Sequence, residues 1–497
     1  MEKRTFMRFI GIVFGLLFAV SSWAQVVNNT PKYEVRAAWV TTAYGLDWPR
    51  SRANTAAGRQ RQQEELISML DRLQAAHFNT ILFQVRTRGE VLYRSAIEPM
   101  SYQLTGKVNG DPGYDPLRFM VDECHKRGME CHAWIVTIPL GARRHMSNLG
   151  KLAVTAKQPK LTLLYRGEYF MDPANPQTKE YLMDIVKEVV SGYDVDGVHF
   201  DYLRYPERLR QFPDQQSFRR QAQGRSYAQW HRDNITEIVR YIYKGVKALK
   251  PWVKVSTSPV GKSQDLTRYS SVGWNAFETV SQDVQGWLGE GIQDQIYPMM
   301  YFKGNHFYPF AIDWQEQRNG RQVIPGLGIY FLDPREGDWP IEEIERQINF
   351  TRLETMAGQG HYRVQYLTEN TKGLYDRLVY RLYIAPALIP PMPWLDNQAP
   401  SAPTGLTAQS LADGKVQLSW QAATDNDAQV APLYVVYASD TYPVDTEKAE
   451  NIVAQRIAAT SFTYSPLMSW NKRRYFAVTA IDRYGNESEA AHLSCGL

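Results

Sequence analysis

The segment Asp194-Val195-Asp196-Gly197-Val198-His199-Phe200-Asp201-Tyr202-Leu203-Arg204-Tyr205-Pro206 begins as a buried strand and ends in groups that can do chemistry. Alternation along a strand puts Val198 and Phe200 on one face and His199 and Asp201 on the other. A carboxylate closing an apolar strand, with Arg204, Tyr202 and Tyr205 beside it, can exchange a proton or hold a polar ligand. The plainer alternative is an ion pair between Asp201 and Arg204. Asp196-Gly197 precedes the strand and reads as a turn. The same alternation groups Gln84 with Arg86, His132 with Trp134, Ser256 with Ser258, and Gln295 with Tyr297 and Tyr301. Taken alone, His132 or His199 is more often a hydrogen-bonded core histidine. Uncompensated polar groups are costly in a core. Five strands ending in polar or aromatic groups therefore predict one shared site. No carboxylate cluster or spaced histidine pair accompanies Asp201, so the pattern does not call for a metal, and no cofactor is expected.

Elements must hold these groups together. From about residue 33 to 385, short apolar strands alternate with amphipathic helices. Strands are predicted at 35–41, 80–85, 130–136, 197–203, 253–258, 295–301, 323–329 and 362–367. Between them, residues 64–77 carry Leu66, Met69, Leu70, Leu73 and Ala76 at helical spacing. Asp115-Pro116 and Asn175-Pro176 each read as a cap followed by a first-turn proline, and Gly128 and Gly192 mark the ends of those helices. Eight strand–helix units predict an α/β fold, a (β/α)8 barrel. The excess length lies in loops after strands, at 86–114, 137–172 and 205–227, on the face where such barrels keep their sites.

A proline-rich stretch at 389–400 reads as a linker. Beyond it, residues 401–497 show short strands with turns between, including Val416–Trp420, Leu433–Ala438 and Arg474–Ala480, the pattern of a small β-sandwich. Pro403-Thr404-Gly405-Leu406, Trp420, Tyr475 to Asp482 and Gly485-Asn486-Glu487-Ser488 resemble a fibronectin type III domain.

At the other end, Lys3, Arg4 and Arg8 precede an apolar run from Phe9 to Val20, and Ser22-Trp23-Ala24 places small residues at both positions a signal peptidase reads. Residues 1–24 are expected to be a secretory signal, leaving residues 25–388 as the barrel unit. Removing three cations and Glu2 lowers the formal charge from +4 to +2. That balance, with no long basic run, does not call for nucleic acid. No other segment is predicted to span a membrane. Three cysteines in 497 residues are too few for a disulfide framework; Cys124 and Cys131 could pair or stay as buried thiols. The 13 Trp and 30 Tyr supply flat apolar faces suited to sugar rings, although most serve packing.

The chain resembles the glycosyl-hydrolase-like family 10 barrels, exported bacterial proteins, over roughly residues 33–385. The resemblance rests on Glu34-Val35-Arg36-Ala37-Ala38-Trp39-Val40-Thr41, on Asn79 to Arg86 followed by Gly89-Glu90 and Tyr93, and on Leu104-Thr105-Gly106. It continues through Pro112-Gly113-Tyr114-Asp115-Pro116-Leu117, His132-Ala133-Trp134, Asp172 to Pro176, Asp194 to Tyr202 with Tyr205-Pro206, Gln282-Asp283, and Pro298-Met299-Met300-Tyr301. It implies a glycoside hydrolase whose partner is a polysaccharide, with peptide-free peptidoglycan glycan strands as one substrate among relatives. Two departures, Ile135-Val136-Thr137-Ile138-Pro139 and Glu90, fall in loops over the expected cleft and bear on the substrate.

Glycosidases of the common type need two carboxyl groups. Asp201 is the first, assigned to proton transfer; Asp283 and Glu90 are candidates for the second, each equally readable as a helix cap or loop ion pair. A second scheme uses the substrate's own N-acetyl group as nucleophile and needs one acid. Asp201 with Met299-Met300-Tyr301 is similar in strand position to family 18 chitinases, which would imply an N-acetylated sugar. In either scheme Arg204 and Arg86 would tune charge and His199 would hydrogen-bond the acid. Trp39, Trp134, Tyr202 and Tyr301 would line sugar subsites, with Gln84, His132 and Tyr297 as further binding candidates. A non-catalytic glycan-binding barrel and a surface protein-interaction module are the alternative readings.

Overall fold

A computed structural model describes residues 30–207, 211–269, 273–411, 414–426, 429–466 and 473–493. The expected signal segment and Cys495 lie outside the described residues. Eight parallel strands close into a barrel flanked by helices: β1 (Val35–Val40), β2 (Thr80–Thr87), β3 (Glu130–Val136), β4 (Gly197–Asp201), β5 (Lys254–Ser258), β6 (Gln295–Ile296), β7 (Gln322–Val323 continuing in Gly326–Leu327) and β8 (Gly358–His361). The first half of β7 pairs with β6 and the second half with β8, which closes the ring through β1. Register sets the site level: Val136 lies opposite Asp201, and Asp201 opposite Ser258.

Alternation sorts the side chains as expected on β4. Val198 and Phe200 pack outward into the helix layer with Ile81, Phe83, Ala38 and Val40. Inside, Val35, Ala37, Trp39, Leu82, Trp134, Tyr297 and Ile324 fill the barrel as one apolar plug. Asp115 accepts the amide of Arg118 at 3.0 Å and starts helix Pro116–Lys126, and Asn175 accepts that of Gln177 at 3.0 Å and starts helix Pro176–Gly192. Cys124 on the first of these helices and Cys131 on β3 are buried free thiols in mutual contact.

The eighth strand departs from expectation. It is Gly358–His361, and most of the stretch 362–367 predicted as strand lies in the helical turn Val364–Thr368. Gly-Gln-Gly-His has no strand-forming signature. Space dictates it instead: a Cβ on Gly360 would lie 2.5 Å from Cζ3 of Trp39, and one on Gly358 would lie 2.1 Å from the carbonyl oxygen of Val35. The large indole inside the barrel requires a bare backbone beside it.

The C-terminal unit packs two antiparallel sheets. One contains β9 (Thr404–Ser410), β10 (Val416–Gln421) and β13 (Ser461–Tyr464); the other contains β11 (Leu433–Ser439), β12 (Ile452–Ile457), β14 (Tyr475–Ile481) and β15 (Ala491–His492). Trp420 meets Tyr434 edge-on between the sheets at 5.3 Å. This sandwich sits under the N-terminal end of the barrel. Arg456 bonds Asp196 and lies 3.3 Å from Glu130, while Arg483 reaches Asp194 at 3.2 Å. Asp196 also accepts His125 Nε2 at 2.8 Å and the Cys131 amide at 2.9 Å. The turn aspartate thus joins strand, helix and sandwich. Residues of the 389–400 stretch pack here too, with Trp394 donating to Asp294 at 3.0 Å and Gln322 donating to the Pro390 carbonyl at 2.9 Å.

Candidate active site

The C-terminal ends of the strands open into a cleft of about 570 Å3. Its floor is Trp39, Gln84, Trp134, Asp201, Ser258 and Tyr301. Asp201 is 6 % exposed. It accepts the Trp134 indole at 3.2 Å on Oδ2 and the Tyr202 amide at 2.7 Å on Oδ1. Burial dominates these bonds and the Arg204 charge, and raises the carboxyl to about 6. Such a group is protonated over much of the mildly acidic range and can give a proton to a leaving oxygen. Arg204 does not pair with it. Among the described residues no carboxylate lies within 4.0 Å of that guanidinium, which instead faces the rings of Tyr202 at 4.9 Å and Trp274 at 5.5 Å. Tyr301 stacks on Tyr362 at 5.3 Å beside the carboxyl, and burial, followed by the fields of Tyr362 and Asp201, holds its phenol well above the usual range.

Several predicted residues lie elsewhere. Arg86 is fully buried and forks onto Glu98 at 2.8 and 2.6 Å. A bulge explains it: Gln84 pairs with Trp134 but Arg86 pairs with Ile135, so one extra residue on β2 turns Arg86 away from the cleft. Gln84 stays at the floor, where its carboxamide oxygen accepts the amides of Thr42 at 3.0 Å and Ala43 at 2.8 Å. His132 points into the barrel but low, 2.9 Å from Glu130, which meets Lys254 at 2.7 Å. Tyr297 is buried in the plug and donates to Gln295 at 3.1 Å.

His199 does not touch the acid. Its Nε2 accepts the Trp39 indole at 3.3 Å, and its Nδ1 meets Ser256 at 2.9 Å. Burial, then the field of His132, holds the ring well below the usual range, so it is a neutral core histidine. Asp283 caps helix Val284–Glu290 by accepting the Gly286 amide at 3.1 Å, away from the cleft. Glu90 is buried behind the cleft wall, accepting the Tyr102 amide at 2.8 Å with His145 at 3.5 Å, and burial raises it to about 7.

Other cleft residues come from loops that alternation cannot read. Tyr44, Arg88, Arg166, Glu168 and Glu207 all line the cleft. Arg88-Gly89 and Arg166-Gly167 are two-residue hairpin tips: Thr87 pairs with Glu90 and Tyr165 with Glu168, and φ is positive at all four tip residues. This is the type I′ pattern, which favours Asn-Gly. The Arg-Gly pairs in the long loops after β2 and β3 were the available signal.

Fold and cleft together present a barrel with a buried carboxyl beneath an aromatic-lined groove, an arrangement suited to a glycoside hydrolase. Residues 34–331 match the family model described as Glycosyl hydrolase-like 10. The chain is 30% identical over 515 residues to "Glycosyl hydrolase YngK" of Bacillus subtilis strain 168, covering 98% of each chain. It is 33% identical over 368 residues to "Glycosyl hydrolase DigH" of Escherichia coli K12, covering 67% of this chain and 84% of that one. Among solved structures, the glycoside hydrolase domain of PgaB (BpsB) from Bordetella bronchiseptica aligns with a TM-score of 0.49 at 14% identity, covering 69% of this chain and 98% of that one. The chain belongs to the glycosyl hydrolase-like 10 family. It is a glycosyl hydrolase acting on a glycan, which favours catalysis over the binding-only readings. No helix among the described residues is long and apolar enough to cross a membrane.

Proposed function

We propose that the protein is exported through its first 24 residues and cleaves an N-acetylated bacterial cell-wall glycan, with Asp201 as proton donor. The observation that carries the reading is Asp201 itself, a carboxyl raised to about 6 on the floor of the cleft. Glu168 and Glu207, the other cleft-lining carboxylates among the described residues, are exposed on its rim. One buried acid suits a mechanism in which the substrate's acetamide attacks the anomeric carbon while Asp201 protonates the leaving oxygen. Tyr301 and Tyr362, packed beside Asp201, would orient the acetamide. The sandwich, with its three-plus-four strand arrangement, would serve as a fibronectin type III-like support under the barrel.

The test is mass spectrometry of soluble products from peptide-free wall glycan, the same glycan after de-N-acetylation, chitin oligomers and a neutral polysaccharide. Oligosaccharides are expected from N-acetylated substrates, lost in Asp201→Asn and after de-N-acetylation. Equal cleavage of the de-N-acetylated glycan would replace the acetamide with Glu168 or Glu207. Release only from the neutral polysaccharide would overturn the substrate.

A further inference from the structure

Two cleft guanidiniums lack an anionic partner. Among the described residues, neither Arg88 nor Arg204 has a carboxylate within 4.0 Å, although ion pairs are plentiful over the rest of the molecule. Arg204 is 8 % exposed, and its Nε has no hydrogen-bond partner. Among the described residues its one hydrogen bond runs from Nη1 to the Tyr205 carbonyl, long at 3.4 Å. A guanidinium this buried is normally paired or forked onto an acceptor. Arg88 lies over the Tyr44 ring at 4.4 Å, as Arg204 lies over Tyr202 at 4.9 Å. Both cations act on one phenol: Asp201 and burial raise Tyr202, while Arg204 and Arg88 pull it down.

Backbone geometry adds a separate observation. Arg88 occupies a hairpin position that asparagine or glycine fills more easily, so the turn itself does not call for a long cation there. Each cation lies over an aromatic ring, a contact that does not consume its N–H donors and so is compatible with a ligand on them. Arg166, the third cleft arginine, donates to Gln211 at 3.2 Å. The acidic groups of the same cleft are Asp201 on the floor and Glu168 and Glu207 on the rim, none paired to either arginine. An anionic substituent would therefore settle on the Arg88–Tyr202–Arg204 side.

We propose that Arg88 and Arg204 are specificity-determining residues that read a carboxylate carried by the substrate sugar, beside the bond to be cleaved. This rests on the hydrolase reading above and names what distinguishes its substrate from plain chitin-like chains. The chemistry fits either an ether-linked lactyl carboxylate, as on peptide-free wall glycan, or a ring carboxylate, as on a uronic acid.

The test is calorimetric binding of the full-length Asp201→Asn protein to four probes: peptide-free wall glycan, the same glycan with carboxylates reduced to alcohols, hyaluronan oligomers and chitin oligomers. Binding to at least one carboxylated probe is expected to be about 10–100-fold tighter than to the reduced glycan and to chitin. Tight wall-glycan binding assigns the lactyl source; tight hyaluronan binding assigns the ring source. Adding Arg88→Gln or Arg204→Gln should bring the carboxylate-to-alcohol affinity ratio toward one, and Arg88→Lys should restore part of it. Equal affinity for carboxylated and reduced glycan, or a ratio untouched by both substitutions, would overturn the proposal. Product release by the wild type from the reduced glycan is read separately, so hydrolysis without preference sinks the arginine assignment and leaves the hydrolase reading standing.

Discussion

The indole of Trp134 on β3 donates to Oδ2 of Asp201 on β4 across 3.2 Å, the shared level being fixed by the pairing of Trp134 with His199 and of Val136 with Asp201. That bond favours the charged carboxylate and works against burial. If Asp201 donates the proton, kcat/KM falls as pH rises through about 6. Trp134→Phe removes one donor to the anion, so the carboxyl rises further and the alkaline limb moves to higher pH. A pH–rate profile from pH 4 to 9 checks both statements; an unmoved limb would mean that another group titrates.

The same burial predicts a stability effect. Asp201 is raised in the folded state relative to about 3.9 in an unfolded chain, so its contribution is fully present at low pH and lost as pH rises through about 6. Asp201→Asn escapes that loss. The variant should be inactive yet more stable than the parent above pH 7, by up to about 3 kcal/mol, with the gap closing near pH 4. Urea unfolding at the two pH values measures it.

Arg456 belongs to the sandwich, but its partners Asp196 and Glu130 belong to the barrel and are almost wholly buried. Arg456→Met takes one guanidinium away from both carboxylates. A loss of about 3–5 kcal/mol is expected on urea unfolding, because removing a partner from a buried ion pair leaves charge that the remaining partners compensate only in part. A loss below about 1 kcal/mol would show that Arg483 and Lys254 suffice without it.

Gly360→Ala should destabilise by roughly 1–3 kcal/mol through overpacking against Trp39. Since Trp39 also forms the cleft floor, KM for the glycan should rise in the same variant. Unchanged unfolding and unchanged KM together would mean that the indole has room to move.

Much of this architecture was legible in the residues. Period-two alternation found seven barrel strands and placed Asp201 and Trp134 on the inward face. It failed at β8, where one glycine answers to the bulk of Trp39 and another to the close backbone of β1, and not to strand propensity. It failed at Arg86, because a single bulged residue reverses the facing of everything after it. Alternation also gives facing without height, so His132 and Tyr297 share the inward side yet lie below the cleft. Arg88 and Glu207 come from a turn and a loop, and Glu168 opens a short strand within the insertion after β3, so that only tertiary packing decides their direction.

Tyr44, Arg88, Arg166 and Tyr202 line the cleft, and each is a chiral residue held at positive φ, between 51° and 57°. A left-handed conformation costs roughly 1–2 kcal/mol per residue of this kind. Selection for heat tolerance alone would therefore drift toward glycine or asparagine at these four positions, hardening the fold while stripping the groove of its rings and cations. A thermally adapted descendant would be expected to blunt its substrate discrimination before it lost the acid at its floor.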